Sequence, residues 1–271
     1  MITDFDDAYT NGAYIEDAHL YPARWAQSAR DFREQLPKGC SVYRDVAYGE
    51  SSRQKLDLFR PAGTAHGLVM FVHGGYWMKF AKEDWSHLAS GAVQRGWAVA
   101  MPGYTLAPNA SLTEMGREIA MAIHHAAATV AGPIALVGHS AGGHLVTRQI
   151  STGSTLAPSV LRRIAHVVSI SGVHDLRPLM KTKMNATLHL QEDEAVRESP
   201  ALQQPVVSVP VTCWVGADER PEFIRQSQLL ANIWTGSGLE ASYWPSKNKH
   251  HFNVIDDLCE PDSELLRLLA P

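Results

Sequence analysis

The sequence predicts an α/β fold in which a mostly parallel, doubly wound sheet of about eight strands is flanked by helices. Segments with the pattern of a strand alternate with segments of helical period along the chain, and several strand segments are continuously apolar, as strands covered on both faces are. The 271 residues are enough for one such domain. Because no repeat, low-complexity run or long linker divides residues 1–271, we expect a single domain.

The predicted elements follow this alternation. Residues 1–40 form a helical segment, and the alternating stretches SVYRDVAYG and QKLDLFRP then begin the sheet as an antiparallel pair, because no helix separates them. The later strands are HGLVMFVHGG, GWAVAMPGY, GPIALVGHS, IAHVVSISGV, VPVTCWVGADE and LEASYWP. Helices are expected at residues 84–95, at 111–131 with a capping box of Ser111 and Glu114, from Ala141, at 222–235 and from about Asn253. The polar insert at residues 174–205 is a candidate cap.

Composition and charge exclude several classes of protein. The net charge of −4, without clustered Lys or Arg, gives no footprint for nucleic acid. The acidic N-terminus lacks the pattern of a signal peptide, and the apolar runs are too short to span a bilayer. Three widely spaced cysteines, Cys40, Cys213 and Cys259, are expected to be free thiols in a reducing compartment. We therefore expect a cytoplasmic protein.

No cofactor is expected. The histidines occur in no metal-ligand spacing, and the adjacent His124 and His125 project to different faces of a helix. A glycine-rich turn follows one strand, but it lacks the G-x-G-x-x-G spacing, and no acid ends the next strand. The sequence therefore predicts neither a metal site nor a dinucleotide site.

The segment Gly138-His139-Ser140-Ala141-Gly142 is a G-x-S-x-G motif placed directly between an apolar strand and a helix. Small flanking residues permit a tight turn that presents the serine hydroxyl, and the helix N-terminus stabilises negative charge that develops beside it. The alternative is a glycine-rich turn in which Ser140 only caps the helix. The position between strand and helix favours Ser140 as a nucleophile.

A serine nucleophile needs a base, and the base needs an orienting acid; in doubly wound hydrolases these follow in the order Ser, acid, His. The histidines after the motif are His144, His166, His174, His189, His250 and His251. The first lies in the nucleophile helix, the second in a strand, and the next two in the insert. His250 and His251 occupy the polar loop after the last strand, from which an imidazole can reach the serine.

Three motifs, HGGYW at 73–77, GHSAGG at 138–143 and HHF at 250–252, carry a resemblance that covers nearly the whole chain. The sequence resembles the α/β-hydrolase superfamily and, more narrowly, the kynurenine formamidase (arylformamidase) group with its bacterial esterase-like relatives. HGGYW, and PEF followed by RQS at 221–227, carry the narrower resemblance. The resemblance implies the α/β-hydrolase fold.

The resemblance also implies roles for particular residues. Ser140 matches the nucleophile, and His251, the histidine directly before Phe, matches the base. His250 takes a position where the family often carries Asp.

In HGGYW, the backbone N–H groups of Gly75 and Tyr76, together with that of Ala141, would form an oxyanion hole for the acyl-transfer intermediate. Trp77 and His73 are candidate residues of the substrate pocket. Of these, His73 is expected mainly to order the loop by hydrogen bonding.

The segment WVGADERPEF, residues 214–223, offers two adjacent acids for the third triad position. α/β Hydrolases commonly place the acid three residues after the glycine that ends the strand, and counting from Gly216 reaches Glu219. Alignment on PEF agrees, because the formamidase pattern resembles D-x-P-E-F. We therefore favour Glu219, with Asp218 as the alternative acid and Glu222 as a charge at a helix N-terminus.

These residues predict a serine hydrolase acting on a small acyl substrate. The resemblance favours hydrolysis of an aryl formamide such as N-formyl-kynurenine to kynurenine and formate. A general small-acyl carboxylesterase or thioesterase is the alternative, and a non-catalytic binding protein on the same fold is an alternative of another class. Neither nucleic acid nor membrane is expected as a partner, and a homodimer is one alternative for the assembly.

Overall fold

A computed structural model describes residues 3–271. Its strands β1 to β8 are Ser41–Ala47, Lys55–Arg60, Leu68–Val72, Ala98–Pro102, Ile134–His139, Ile164–Ile170, Val211–Gly216 and Ala241–Ser246. They form one sheet in the order β1-β2-β4-β3-β5-β6-β7-β8. β2 lies antiparallel to both β1 and β4, and the other pairs are parallel. The predicted sheet, mostly parallel with an antiparallel start, is confirmed.

The described helices lie on both faces of this sheet. Helices α1 to α10 are Phe5–Ala8, Tyr21–Glu34, Ser90–Gln94, Leu112–Thr129, Ala141–Arg148, Pro158–Leu161, Asn185–Leu188, Glu192–Arg197, Pro221–Gly236 and Glu264–Leu269. Short 3₁₀ helices are Gly12–Tyr14, Ala18–Leu20, Lys82–Ala89, Arg177–Lys181, Pro200–Leu202 and Asp256–Cys259. The predicted capping box begins α4: Ser111 Oγ accepts the Glu114 N–H at 3.2 Å, and Glu114 Oε2 accepts the Ser111 N–H at 2.7 Å. No helix of residues 3–271 is both long and apolar enough to cross a membrane.

The sheet divides the core into two layers. Every residue of β3 is buried. Leu68, Met70 and Val72 pack into the layer that includes residues of α4, α5 and α9. Val69 and Phe71 pack into the layer that includes residues of α2, α3 and α10. Successive side chains of a strand point to opposite faces, so a strand of this kind must be apolar at every position.

The C-terminal segment departs from the prediction. A single helix was expected from about Asn253, but the structure has the 3₁₀ helix Asp256–Cys259 followed by the separate helix α10. The interruption lies at Pro261, which has no N–H to donate and disfavours a helical conformation in the residue before it. Glu260 is accordingly extended, with φ −98° and ψ 112°.

Two segments outside the regular alternation lie near one end of the sheet. We call residues 3–34, with α1, two 3₁₀ helices and α2, the N-terminal segment; the first two residues of the predicted helical stretch lie outside the described residues. Residues 174–205 form the insert, with α7, α8 and two 3₁₀ helices. α2 packs on the 3₁₀ helix after β3, where the Trp25 and Trp85 rings lie 4.8 Å apart.

Candidate active site

Ser140 lies in a strained turn between β5 and α5, with φ 55° and ψ −116°. A non-glycine residue with these backbone angles is strained by about 1–3 kcal/mol. It keeps this conformation only where the surrounding structure enforces it. The neighbouring glycines allow the backbone to pack closely around this turn. A Cβ on Gly138 would lie 2.1 Å from the Gly142 carbonyl oxygen, and one on Gly142 would lie 1.9 Å from the Val72 carbonyl oxygen. The predicted strand, turn and helix are therefore present, and Ser140 lines a cavity.

The loop after β7, residues 216–220, is called the acid loop, and it places Glu219 against His251. The His251 Nδ1–H donates to Glu219 Oε2 at 2.6 Å, and both side chains are buried. Glu219 Oε1 accepts the Gly216 N–H at 2.8 Å and the Ser171 hydroxyl. Because three donors hold the carboxylate, its orientation toward the imidazole is fixed.

Asp218 points elsewhere. It is exposed, its backbone N–H donates to the Lys249 carbonyl at 3.0 Å, and within residues 3–271 its carboxylate makes no hydrogen bond to a histidine. Adjacent residues of an extended loop point in different directions, so only one acid can reach the imidazole. The structure thus brings together Glu219 and His251, and the catalytic roles of both remain a prediction.

Glu222, predicted as a charge at a helix N-terminus, lies in the first turn of α9. It is buried, forms a bidentate pair with Arg225 at 2.7 Å and accepts the Tyr9 hydroxyl at 2.7 Å. It therefore anchors the N-terminal segment, and within residues 3–271 it makes no hydrogen bond to His251.

The hydrogen bond from Nδ1 fixes the tautomer of His251. With Nδ1 as donor, Nε2 is the acceptor that a general base requires. Ser140 and His251 line the same cavity, but the residues described include no hydrogen bond between Ser140 Oγ and His251 Nε2. Such contacts often tighten only when substrate binds.

His139, the second residue of the serine motif, contacts the backbone of His251. Its Nε2 lies 2.9 Å from the His251 carbonyl oxygen, and the two rings are 4.7 Å apart. Burial, together with the neighbouring His251, lowers the pKa of His139 well below its usual value, so the ring stays neutral and its Nε2–H donates to that carbonyl. Sequence reasoning missed His139 and Ser171 as supports of the predicted triad.

His250 has a different position from its neighbour. Its Nε2 lies 3.2 Å from the Tyr21 hydroxyl, its Nδ1 accepts the Phe252 N–H at 3.1 Å, and its own N–H donates to Asn253 Oδ1 at 2.7 Å. His250 thus orders the loop, while His251 contacts the acid.

Residues 73–77, after β3, are called the oxyanion loop. Three consecutive residues have positive φ: Gly75 at 112°, Tyr76 at 53° and Trp77 at 59°. A Cβ on Gly74 would lie 3.0 Å from Ser140 Cβ, so the loop runs directly against the serine turn.

The predicted oxyanion donors are the backbone N–H groups of Gly75, Tyr76 and Ala141. Within residues 3–271 none of the three donates to a protein acceptor. All three are therefore free to bind an oxygen of the substrate, which is what an oxyanion hole requires.

Two residues predicted for the substrate pocket are not in it. Trp77 is fully buried and its ring packs edge-on against His144 at 5.2 Å, so this aromatic belongs to the core. His73 is also buried, with Nδ1 2.8 Å from the Gly74 carbonyl oxygen and its ring stacked on Tyr104 at 4.6 Å. Burial lowers the pKa of His73 to about 4. The pocket assignment is therefore wrong for both residues, because the turn directs their side chains into the protein.

The cavity beside Ser140 has a volume of about 790 Å³, which is within the usual range for a small-molecule site. Its aromatic walls are Tyr9, Trp25, Tyr76, Phe80, Trp85 and Phe252. The N-terminal segment supplies much of the lining, from Asp6 to Trp25, whereas the insert supplies Lys183 and Met184. The main cover of the site is therefore the N-terminal segment, although the sequence pointed to the insert.

Comparison with known proteins agrees with this geometry. Residues 56–229 match the family model BD-FAE. The chain is 32% identical to kynurenine formamidase of Danio rerio over 235 residues, which is 83% of this chain and 80% of that protein. The chain belongs to the BD-FAE family and to the kynurenine formamidase group of α/β hydrolases. Kynurenine formamidase of Drosophila melanogaster is 28% identical over 88% of this chain and 83% of its own length.

Solved structures extend the comparison beyond the formamidase group. A protein from a Silicibacter species, provisionally described as a thioesterase, has 47% identity and a TM-score of 0.94, with 99% of both chains covered. An esterase of Pyrobaculum calidifontis shares the fold, with a TM-score of 0.69 at 17% identity over 94% of this chain and 92% of that one. The predicted α/β-hydrolase fold is confirmed, and this member of the kynurenine formamidase group is a serine hydrolase.

Proposed function

We propose that the protein hydrolyses an aryl formamide such as N-formyl-kynurenine, giving kynurenine and formate. The observation that carries this proposal is the aromatic cavity opening on Ser140. An aryl formamide has a very small acyl group and a large aromatic amine as leaving group, so its bulk must lie against the cavity wall while the formyl carbon lies at the serine. The relationship to the formamidases of Danio rerio and Drosophila melanogaster supports the same substrate class.

The chemistry follows from the arrangement of the side chains. Ser140 Oγ attacks the formyl carbon while His251 Nε2 takes the hydroxyl proton, and Glu219 stabilises the imidazolium that forms. The negative charge that develops on the formyl oxygen lies within reach of the backbone N–H groups of the oxyanion loop and Ala141. Each such donor contributes on the order of 2.7–4 kcal/mol to the transition state.

The intermediate collapses when His251 passes its proton to the aniline nitrogen, which leaves as the free amine. The formyl group remains on Ser140 as an ester. Water then attacks this ester as His251 accepts a proton from it, and the same proton returns to Ser140 Oγ as formate leaves. The cycle consumes one water and needs no cofactor.

Comparison of kcat/KM for N-formyl-kynurenine and for p-nitrophenyl acetate tests the proposal. We expect the formamide to be the better substrate, and both activities to vanish in Ser140→Ala, which excludes a contaminating enzyme. A preference of several hundredfold for the ester would reject the formamidase assignment.

A short-acyl esterase or thioesterase is the second candidate, favoured by the 47% identity to the Silicibacter protein provisionally described as a thioesterase. Adding acetyl-coenzyme A to the same assay separates the thioester from the oxygen ester. A cytoplasmic location is part of our proposal, since Cys40, Cys213 and Cys259 are free thiols.

A further inference from the structure

The Tyr76 and Trp77 side chains leave the oxyanion loop toward different parts of the protein. The Trp77 ring is buried in the core, and its carbonyl accepts the Ala107 N–H at 2.9 Å. The Tyr76 phenol instead reaches the N-terminal segment, where it donates to the Tyr9 carbonyl and accepts from Asn11 Nδ2 at 3.1 Å. The loop is therefore held from two sides, by the core at Trp77 and by the N-terminal segment at Tyr76.

Tyr9, in the N-terminal segment, is itself held by contacts with α9. The Tyr9 hydroxyl donates to Glu222 Oε1 at 2.7 Å and accepts from Gln226 Nε2 at 3.0 Å, and its ring meets Phe223 edge-on at 5.9 Å. These partners belong to α9, which begins directly after the acid loop. Tyr9 thus connects the helix behind the acid loop to the phenol of Tyr76.

This connection bears on catalysis because the backbone of Tyr76 is an oxyanion donor in left-handed conformation. A non-glycine residue at φ 53° stays there only where its surroundings impose that conformation. The phenol remains protonated, because burial raises the pKa of Tyr76, so it can donate to the Tyr9 carbonyl. Two hydrogen bonds hold the end of this side chain, and its attachment to the Tyr76 Cα links them to the backbone of the turn.

We propose that Tyr9 and Asn11 are positioning residues for the oxyanion hole: through the Tyr76 phenol they hold the Tyr76 N–H in the orientation that binds the oxygen of the transition state. The N-terminal segment thereby completes the catalytic site in addition to covering it. The proposal rests on the serine-hydrolase chemistry above and holds for a formamide or an ester, since both pass through the same oxyanion.

Tyr76→Phe is the main test, because it keeps the ring and removes both hydrogen bonds. Loss of a whole oxyanion donor costs about 100- to 1,000-fold in kcat, so we expect misorientation of one donor to lower kcat by about 10- to 30-fold. KM should change by less than about threefold, because the ring still fills its place. The loss should be the same for N-formyl-kynurenine and for p-nitrophenyl acetate.

Asn11→Leu removes only the second hydrogen bond and should lower kcat by about 2- to 5-fold. Its effect should disappear in the Tyr76→Phe background, because both changes act through one phenol oxygen. Asn11→Leu also keeps the proposal testable if Tyr76→Phe does not fold. Tyr14→Phe is the matched control: it removes a hydroxyl that donates to Asp7 in the same segment, and it should leave kcat unchanged.

The proposal is overturned if Tyr76→Phe folds and retains kcat within about twofold, or if its loss lies only in KM. It is also overturned if Asn11→Leu lowers kcat equally with and without the phenol. Failure of the formamidase assignment has a different signature: it changes the ratio between the two substrates in the wild-type enzyme and leaves the ratio of variant to wild type unaffected.

Discussion

The acid loop and the oxyanion loop follow β7 and β3 of the same sheet, but they are held in different ways. In the acid loop the predicted functional group is the Glu219 side chain, and hydrogen bonds from Gly216, Ser171 and His251 hold both carboxylate oxygens. In the oxyanion loop the predicted functional groups are backbone N–H groups, in a turn with three consecutive positive φ angles. A single side-chain substitution should therefore affect the acid directly, but it should affect the oxyanion donors only through residues that hold the loop.

Removing the charge of Glu219 in the acid loop should have the largest effect on kcat. Glu219→Gln keeps the size of the side chain but replaces the carboxylate that fixes the His251 tautomer and stabilises the imidazolium. We expect kcat to fall by about 1,000- to 10,000-fold with little change in the fold. Steady-state kinetics with either substrate, together with thermal unfolding, measures both quantities.

Asp218→Asn is the matched control, because it removes the same charge from the adjacent exposed position. It should leave kcat within about twofold of the wild-type value. A large loss in Asp218→Asn with a small loss in Glu219→Gln would move the acid to Asp218 and contradict the geometry.

A smaller loss of kcat is expected when a hydrogen bond to Glu219 is removed and Glu219 itself is kept. Ser171→Ala deletes the hydroxyl bonded to Glu219 Oε1, while the Gly216 N–H still holds that oxygen. A hydrogen bond to a charged group contributes about 1.5–3 kcal/mol, so with one donor remaining on that oxygen we expect kcat to fall by about 10-fold at nearly constant KM.

Ser169→Ala provides the control for this substitution. Ser169 is buried in β6, two residues before Ser171, but its hydroxyl contacts His174 Nε2 at 3.2 Å, away from the acid loop. It should change stability and leave kcat within about twofold. Equal kcat losses in the two serine variants would mean that Ser171 acts through general destabilisation of the strand.

The sequence predicted the parts of the site that depend on local pattern. The apolar strands, the strand-serine-helix turn and the spacing from Gly216 to Glu219 are short-range features, and the structure contains all of them. The position of the N-terminal segment over the cavity could not be predicted in this way. It depends on contacts such as that of Arg220 with Asp7, residues 213 positions apart, and no period or motif in the chain encodes that pairing.

The prediction for Trp77 failed for a related reason. Its neighbour Tyr76 does line the cavity, and a sequence gives no indication that two adjacent aromatic side chains diverge. The divergence arises from the left-handed backbone of the turn. Ser171 was missed because a serine at the end of a strand is common. Its role depends only on its hydrogen bond to the Glu219 carboxylate of the acid loop.

The smallest predicted effect is on the stability of the protein at low pH, and it arises in the oxyanion loop. His73, at its start, is buried, and burial lowers its pKa from 6.5 to about 4. The unfolded chain therefore binds a proton that the folded protein excludes, so the free energy of unfolding is fully retained above about pH 6.5 and falls as the pH drops toward 4. The contribution of His73 to this slope should be about 1 kcal/mol per pH unit.

His73→Asn tests this slope, because the amide can replace the neutral imidazole as a donor to the Gly74 carbonyl but does not titrate. Urea unfolding at several pH values between 6.5 and 4 should show a shallower loss of stability in the variant than in the wild type. Some slope should remain, since burial also lowers the pKa of His144 to about 4. His66→Asn, at an exposed position, is the matched control substitution. If His73→Asn and wild type lose stability in parallel, acid sensitivity does not originate in the oxyanion loop, and the two loops differ in their hydrogen bonding alone.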